Sequence, residues 1–292
     1  MRALGAAFLL PLALAGAGAP SRAPGAEPLP NLNDLPSDLE VPAVTKGEPA
    51  PGRRVWQTAP GYEGWNVAHA LYLPAEWKAE GVYPVIFEYP GNGGFKNSLG
   101  DTCDGTVGSC CLGYGLSGGS GYIWVSLPFV DPQSKSHTLT WWGDADETAR
   151  YCRAAVAQVC QRHGGDARRL VLAGFSRGAI ACNYIGLRDD ETAKLWRAFV
   201  IHSHYDGVRT WNYAHSDAAS ARRRLARLEG RPQFISHERS TQGVEDFLRE
   251  SPPPERFTFA TLPFSNHSAN WALKDIPLRK TAREWLAQAL AE

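Results

Sequence analysis

The stretch Leu170–Ala181, LVLAGFSRGAIA, constrains this chain more than any other. A continuous apolar run of strand length, ending at Phe175, meets a serine framed by Gly174 and Gly178, and small apolar residues resume at once. An unbroken apolar run is expected of a strand buried on both faces, as in a parallel sheet. The small residues after Gly178 predict a helix to about Leu187. Such a sharp turn brings backbone against backbone, which calls for glycine on either side. Ser176 would then sit at a helix N-terminus, where amide dipoles favour developing negative charge.

The rest of the chain repeats the alternation. RVWQT and NVAHALYLP, between Arg53 and Pro74, predict an antiparallel hairpin. Further strands are expected at 83–90, 122–129, 198–203, 232–237 and 256–263, and helices at 216–229, 243–250 and 277–290. Asp144-Ala-Asp-Glu147 forms a capping box for another helix, which should stop near Gly164. Strands alternating with helices imply an α/β fold, a mostly parallel central sheet with helices on both faces. The 292 residues contain no repeat and suit one such domain, over 52–292.

The N-terminus reads as a processing segment. Arg2, the apolar run Leu4–Leu14 and a small-residue cleavage site after Ala17 or Ala19 define a signal peptide over 1–19. Residues 20–51, rich in Pro, Ala and Gly, read as a flexible lead-in. A secreted or periplasmic protein is expected, without membrane insertion after cleavage. Thirty basic and thirty acidic residues balance, so the net field gives no reason to expect nucleic acid as partner. Arg222-Arg223-Arg224 reads as a solvated helix face. Export makes disulfides the expected state of Cys103, Cys110, Cys111, Cys152, Cys160 and Cys182. Spacing leaves their pairing open. Only Cys152–Cys160, roughly 12 Å apart along one helix, and the adjacent Cys110–Cys111 are excluded. No CxxC accompanies a matching histidine set, so no metal is called for.

A serine hydroxyl needs a base to become a nucleophile. Among the eight histidines, His267 in LPFSNHSANW is placed for it, between the last strand and the last helix. A carboxylate should follow the serine and precede the histidine in sequence, to orient the imidazole. Asp206 is the first choice, because it lies just past the strand AFVIHS at the carboxyl edge of the sheet. Glu238 and Asp246 are the alternatives. Two backbone amides should face the developing oxyanion: that of Arg177 and, from PGNGG, that of Asn92, with Gly93 as second choice.

GFSRG, PGNGG and SNHSANW together resemble the secreted α/β-hydrolase esterases, the group of carboxylesterases, feruloyl esterases and polyhydroxybutyrate depolymerases. The resemblance spans about Arg53–Glu292. It departs from the group at Pro90, where a histidine usually opens the oxyanion loop, and in the position of the acid. It implies an α/β-hydrolase fold and cleavage of a small-molecule or polymer ester through an acyl-enzyme on Ser176, with neither metal nor cofactor. Aromatic residues near the carboxyl edge, Trp141 and Trp142 foremost, are candidates for a substrate pocket. Two rivals stand beside this reading. One is a prolyl-oligopeptidase-like peptidase, whose propeller domain the short N-terminal segment cannot supply. The other is a catalytically inactive protein of the same fold that binds carbohydrate or polymer.

Overall fold

The computed structural model describes residues 29–249 and 256–291. The expected signal peptide (1–19) and residues 20–28 of the lead-in lie outside the described residues.

Eight strands form the central sheet: β1 (Arg54–Gln57), β2 (His69–Tyr72), β3 (Tyr83–Tyr89), β4 (Ile123–Ser126), β5 (Gly165–Phe175), β6 (Ala198–His202), β7 (Gln233–Glu238) and β8 (Phe257–Leu262). Their spatial order is β1-β2-β4-β3-β5-β6-β7-β8. β2 pairs antiparallel with β1 and β4, and every other pairing is parallel.

The period of two along a strand sends neighbouring side chains into two separate cores. Val85, Phe87, Leu170 and Leu172 enter one; Ile86, Val171 and Ala173 enter the other. Four helices supply the apolar stripes that close the cores. They are α1 (Leu112–Ser117), α2 (Ala145–His163) and α3 (Arg177–Tyr184), then the C-terminal helix Pro277–Ala291. α2 and α3 cover the first face with Ala155, Val159 and Ile180. α1 and the C-terminal helix cover the second with Leu116, Ala282 and Leu286. Each large apolar side chain buried in this way contributes about 2 kcal/mol. α2 begins where the Asp144 carboxylate accepts the Glu147 amide and ends at Gly164, with φ 74°. Among the described residues no helix is long and apolar enough to cross a membrane.

Two expectations are corrected. Residues 29–51 are not a loose lead-in: Leu32 is fully buried, its amide donates to Asn266 Oδ1 (2.7 Å), and Asp38 grips Arg279 through both oxygens (2.7 and 2.6 Å). A buried leucine and a bidentate ion pair offset the entropy that a Pro-rich segment keeps when free. The six cysteines form no disulfides and are free thiols. Cys152 and Cys182 lie in one core and Cys110 in the other, packed as small apolar side chains.

Candidate active site

The turn after β5 is as sharp as its sequence requires. Ser176 has φ 55° and ψ −116°, a strained conformation for a non-glycine residue. A Cβ on Gly174 would lie 2.1 Å from the Gly178 carbonyl oxygen, and one on Gly178 would lie 2.0 Å from that of Tyr89. Only hydrogens fit there, which accounts for both glycines of GFSRG. The Ser176 amide donates to the His202 carbonyl (3.0 Å) and ties the turn to the end of β6.

His267 comes from the loop after β8. Its ring packs against Phe95 and Phe175, each with its centroid 4.8 Å away. Its backbone amide donates to Asp101 Oδ2 (2.9 Å). The same buried carboxylate accepts from Asn266 (2.7 Å), Asn97 (2.7 Å) and Asn33 (3.1 Å). Asp101 thus fastens the histidine loop to residues 97–101 and to the N-terminal segment. The ring's Nε2 lies 3.0 Å from Ser176 Oγ.

The carboxylate at Nδ1 is Glu238, at the end of β7, with Oε1 2.6 Å away. Because a carboxylate only accepts, Nδ1 carries the proton and Nε2 keeps a lone pair for the serine hydroxyl. Burial pushes the Glu238 carboxyl up, but the hydrogen bond from His267 and the fields of His202, His267 and His237 together outweigh it and hold the group down at about 2. Ser203, just past β6, donates to Glu238 Oε1 (2.9 Å) and sits 2.7 Å from His267 Nδ1.

The expectation that Asp206 orients His267 is therefore corrected. Asp206 turns away into a bidentate pair with Arg224 (2.8 and 2.9 Å) on the helix Ala218–Leu225. Burial pushes its carboxyl up to about 6 against the pull of Arg224. Arg224, expected on a solvated face, is buried instead. Asp246 pairs with Arg249 and Gln242 at the surface.

Of the backbone amides proposed for the oxyanion, that of Gly93 already donates to the Leu139 carbonyl (2.8 Å). The amides of Asn92 and Arg177 carry no such bond among the described residues. The Asn92 side chain accepts from the Trp141 amide (2.9 Å), and the Arg177 guanidinium donates to the carbonyls of Trp141 (2.8 Å) and Gly105 (3.3 Å). Trp141, with φ 49°, is thus gripped at both of its backbone polar groups. Burial lowers the Arg177 guanidinium to about 9.

A cavity of about 480 Å³ opens over Ser176 and His267, walled by Phe95, Trp141, Ile180, His204 and Trp211. Trp142, the other member of the expected aromatic pair, is buried and stacked on Tyr184 at 4.8 Å. Sequence reasoning missed Ser203, His204 and Asp101. Each is placed by contacts with residues distant along the chain or by backbone direction, and a single sequence displays neither.

The sheet order and the bend that carries Ser176 together define a class, the α/β-hydrolase fold. No protein-family model matches the chain, and no curated protein matches it in sequence. Solved structures match in three dimensions. Esterase 2 of Thermogutta terrifontis, phosphorylated by paraoxon, superposes with TM-score 0.55 at 12% identity, over 82% of this chain and 94% of that one. An S-formylglutathione hydrolase from Agrobacterium tumefaciens gives TM-score 0.55 at 12% identity, over 86% of this chain and 100% of the other. Dipeptidyl peptidase 4 of Porphyromonas gingivalis gives 0.52 at 14% identity; 82% of this chain is covered, but it spans only 36% of that peptidase. The chain has the α/β-hydrolase fold, in agreement with the resemblance carried by GFSRG, PGNGG and SNHSANW.

Proposed function

We propose that this protein is a serine hydrolase of carboxylic esters, with Ser176 as nucleophile, His267 as general base and Glu238 as the orienting acid. The observation that carries the reading is one unbroken chain: Glu238 Oε1 to His267 Nδ1 at 2.6 Å and His267 Nε2 to Ser176 Oγ at 3.0 Å. It ends at the floor of the cavity. His267 takes the hydroxyl proton as Ser176 Oγ bonds to the ester carbonyl carbon, and the carbonyl oxygen becomes an oxyanion. The amides of Asn92 and Arg177 hold it, each such donor being worth about 3 kcal/mol in the transition state. His267 then gives the proton to the departing alcohol. Water repeats the cycle on the acyl-enzyme, so the free acid leaves and Ser176 is restored. No step calls for a metal or an organic cofactor.

Esters are preferred to peptides with a free N-terminus on the chemistry of the cavity wall. A substrate ammonium needs an anionic partner once it leaves water. The residues lining the cavity include no Asp or Glu, and their fixed cation is Arg177. The inactive, carbohydrate-binding reading is disfavoured because each member of the relay already faces the next. Export belongs to the proposal on the strength of residues 1–19 alone.

A fluorophosphonate probe tests the reading. The wild-type protein should be labelled and Ser176→Ala should not. Hydrolysis of short p-nitrophenyl esters, with an aminoacyl-prolyl amide left intact, then separates esterase from peptidase. A folded wild-type protein that resists the probe overturns the proposal.

A further inference from the structure

His204 stands in the wall of the cavity, beside the chain of groups that ends at Ser176, and has no part in the mechanism above. Its ring lies 5.2 Å from that of His267 and 5.4 Å from that of Trp211, centroid to centroid. Its Nδ1 is 3.0 Å from the carbonyl oxygen of Ser203. A carbonyl only accepts, so Nδ1 carries the proton and Nε2 is left with a bare lone pair. No protein group among the described residues engages that Nε2. It is an acceptor in a cavity wall that it shares with Phe95, Trp141 and Trp211.

The backbone that fixes this tautomer is itself unusual. Ser203 has φ 86°, in the region that favours glycine. Its hydroxyl reaches Glu238 and its carbonyl reaches His204. Strain of this kind persists where surrounding contacts over-determine it, and here those contacts lie at the site.

We infer that His204 is a specificity-determining residue, whose Nε2 accepts a hydrogen bond from a free hydroxyl of the substrate while Trp141, Trp211 and Phe95 flank that group's apolar face. This rests on the ester-hydrolase reading above and names a substrate class within it: neutral esters of hydroxylated compounds, such as partly esterified sugars or polyols. Burial lowers the His204 imidazole to about 4, so the acceptor persists through neutral pH. A substrate carboxylate would meet this lone pair with repulsion. A hydroxyl meets it with a hydrogen bond, and the C–H face of a sugar ring suits the tryptophans.

The test compares a methyl glycoside monoacetate bearing free neighbouring hydroxyls with the same acetate after O-methylation of those hydroxyls. Wild-type kcat/KM should favour the hydroxylated ester by about five- to tenfold, the range of one neutral hydrogen bond. His204→Phe should bring the ratio near unity. His204→Gln, which keeps an acceptor, should retain part of the preference and serves also if the phenylalanine variant does not fold. A merely structural histidine would lower both rates together and leave the ratio alone. An unchanged ratio in these variants, or no wild-type preference, overturns the inference while fluorophosphonate labelling of Ser176 leaves the ester-hydrolase reading standing. If wild type resists that probe, both fall.

Discussion

Glu238 Oε1 lies 2.6 Å from His267 Nδ1, while the carboxylate first expected there, Asp206, is held by Arg224 through both oxygens. Glu238 ends β7 and Asp206 lies four residues past the end of β6, the adjacent parallel strand, with His202 of β6 level with Ser236 of β7. Their roles part because one faces the histidine loop and the other faces a helix.

Exchanging each acid for its amide should separate those roles. Glu238→Gln is expected to lower kcat by roughly a thousandfold to ten-thousandfold with the fold intact, because the amide favours the wrong imidazole tautomer. Asp206→Asn should leave kcat near wild type and lower stability by about 3 kcal/mol, since it strands a buried Arg224. Steady-state kinetics and urea unfolding on both variants decide it. The opposite pattern would return the acid to Asp206.

Ser203→Ala removes the hydroxyl that bridges Glu238 and His267. A loss of about tenfold in kcat with KM little changed is expected, on the scale of one hydrogen bond to a charged group. Equal kcat in variant and wild type would show that Glu238 alone holds the ring.

Asp101→Ala should reach the site without touching the substrate. It frees the His267 amide and the side chains of Asn33, Asn97 and Asn266 together. A small displacement of the imidazole can cost about a hundredfold in kcat. Deleting residues 29–35 should give part of the same loss, because Leu32 and Asn31 hold Asn266. Stopped assays on both variants, beside their melting curves, test whether the N-terminal segment supports catalysis.

The Glu238 carboxyl is held at about 2, against an ordinary 4.5. A depressed acid adds stability that is fully present above its unfolded value and is lost as pH falls through its folded value. The stability difference between wild type and Glu238→Gln should therefore be constant above about pH 5 and shrink from pH 4.5 towards pH 2. Urea midpoints across that range measure it. A difference that does not change with pH contradicts the assignment of the charge.

The strand–turn–helix that carries Ser176 was legible because everything it needs lies within twelve residues: a buried strand, two glycines and a small-residue helix. The position of His267 was legible from chain order, since it falls in the segment between β8 and the C-terminal helix. The basic run at 222–224 misled, because Arg224 is named by its neighbours in sequence but used by Asp206 across the fold. The Pro-rich lead-in misled for a related reason: its anchor is one side chain, Leu32, and its hydrogen-bond partner is 234 residues away.

The sequence by itself determined the alternation of strands and helices, the bend at Ser176 and the histidine that could serve it, since periodicity and glycine sterics act over a few residues. Tertiary structure alone decided which carboxylate meets that histidine, which amides stay free for an oxyanion and where His204 points. Those depend on strand register and on the direction in which loops leave the sheet. Both are set by packing between segments far apart in the chain, where no local pattern records the outcome.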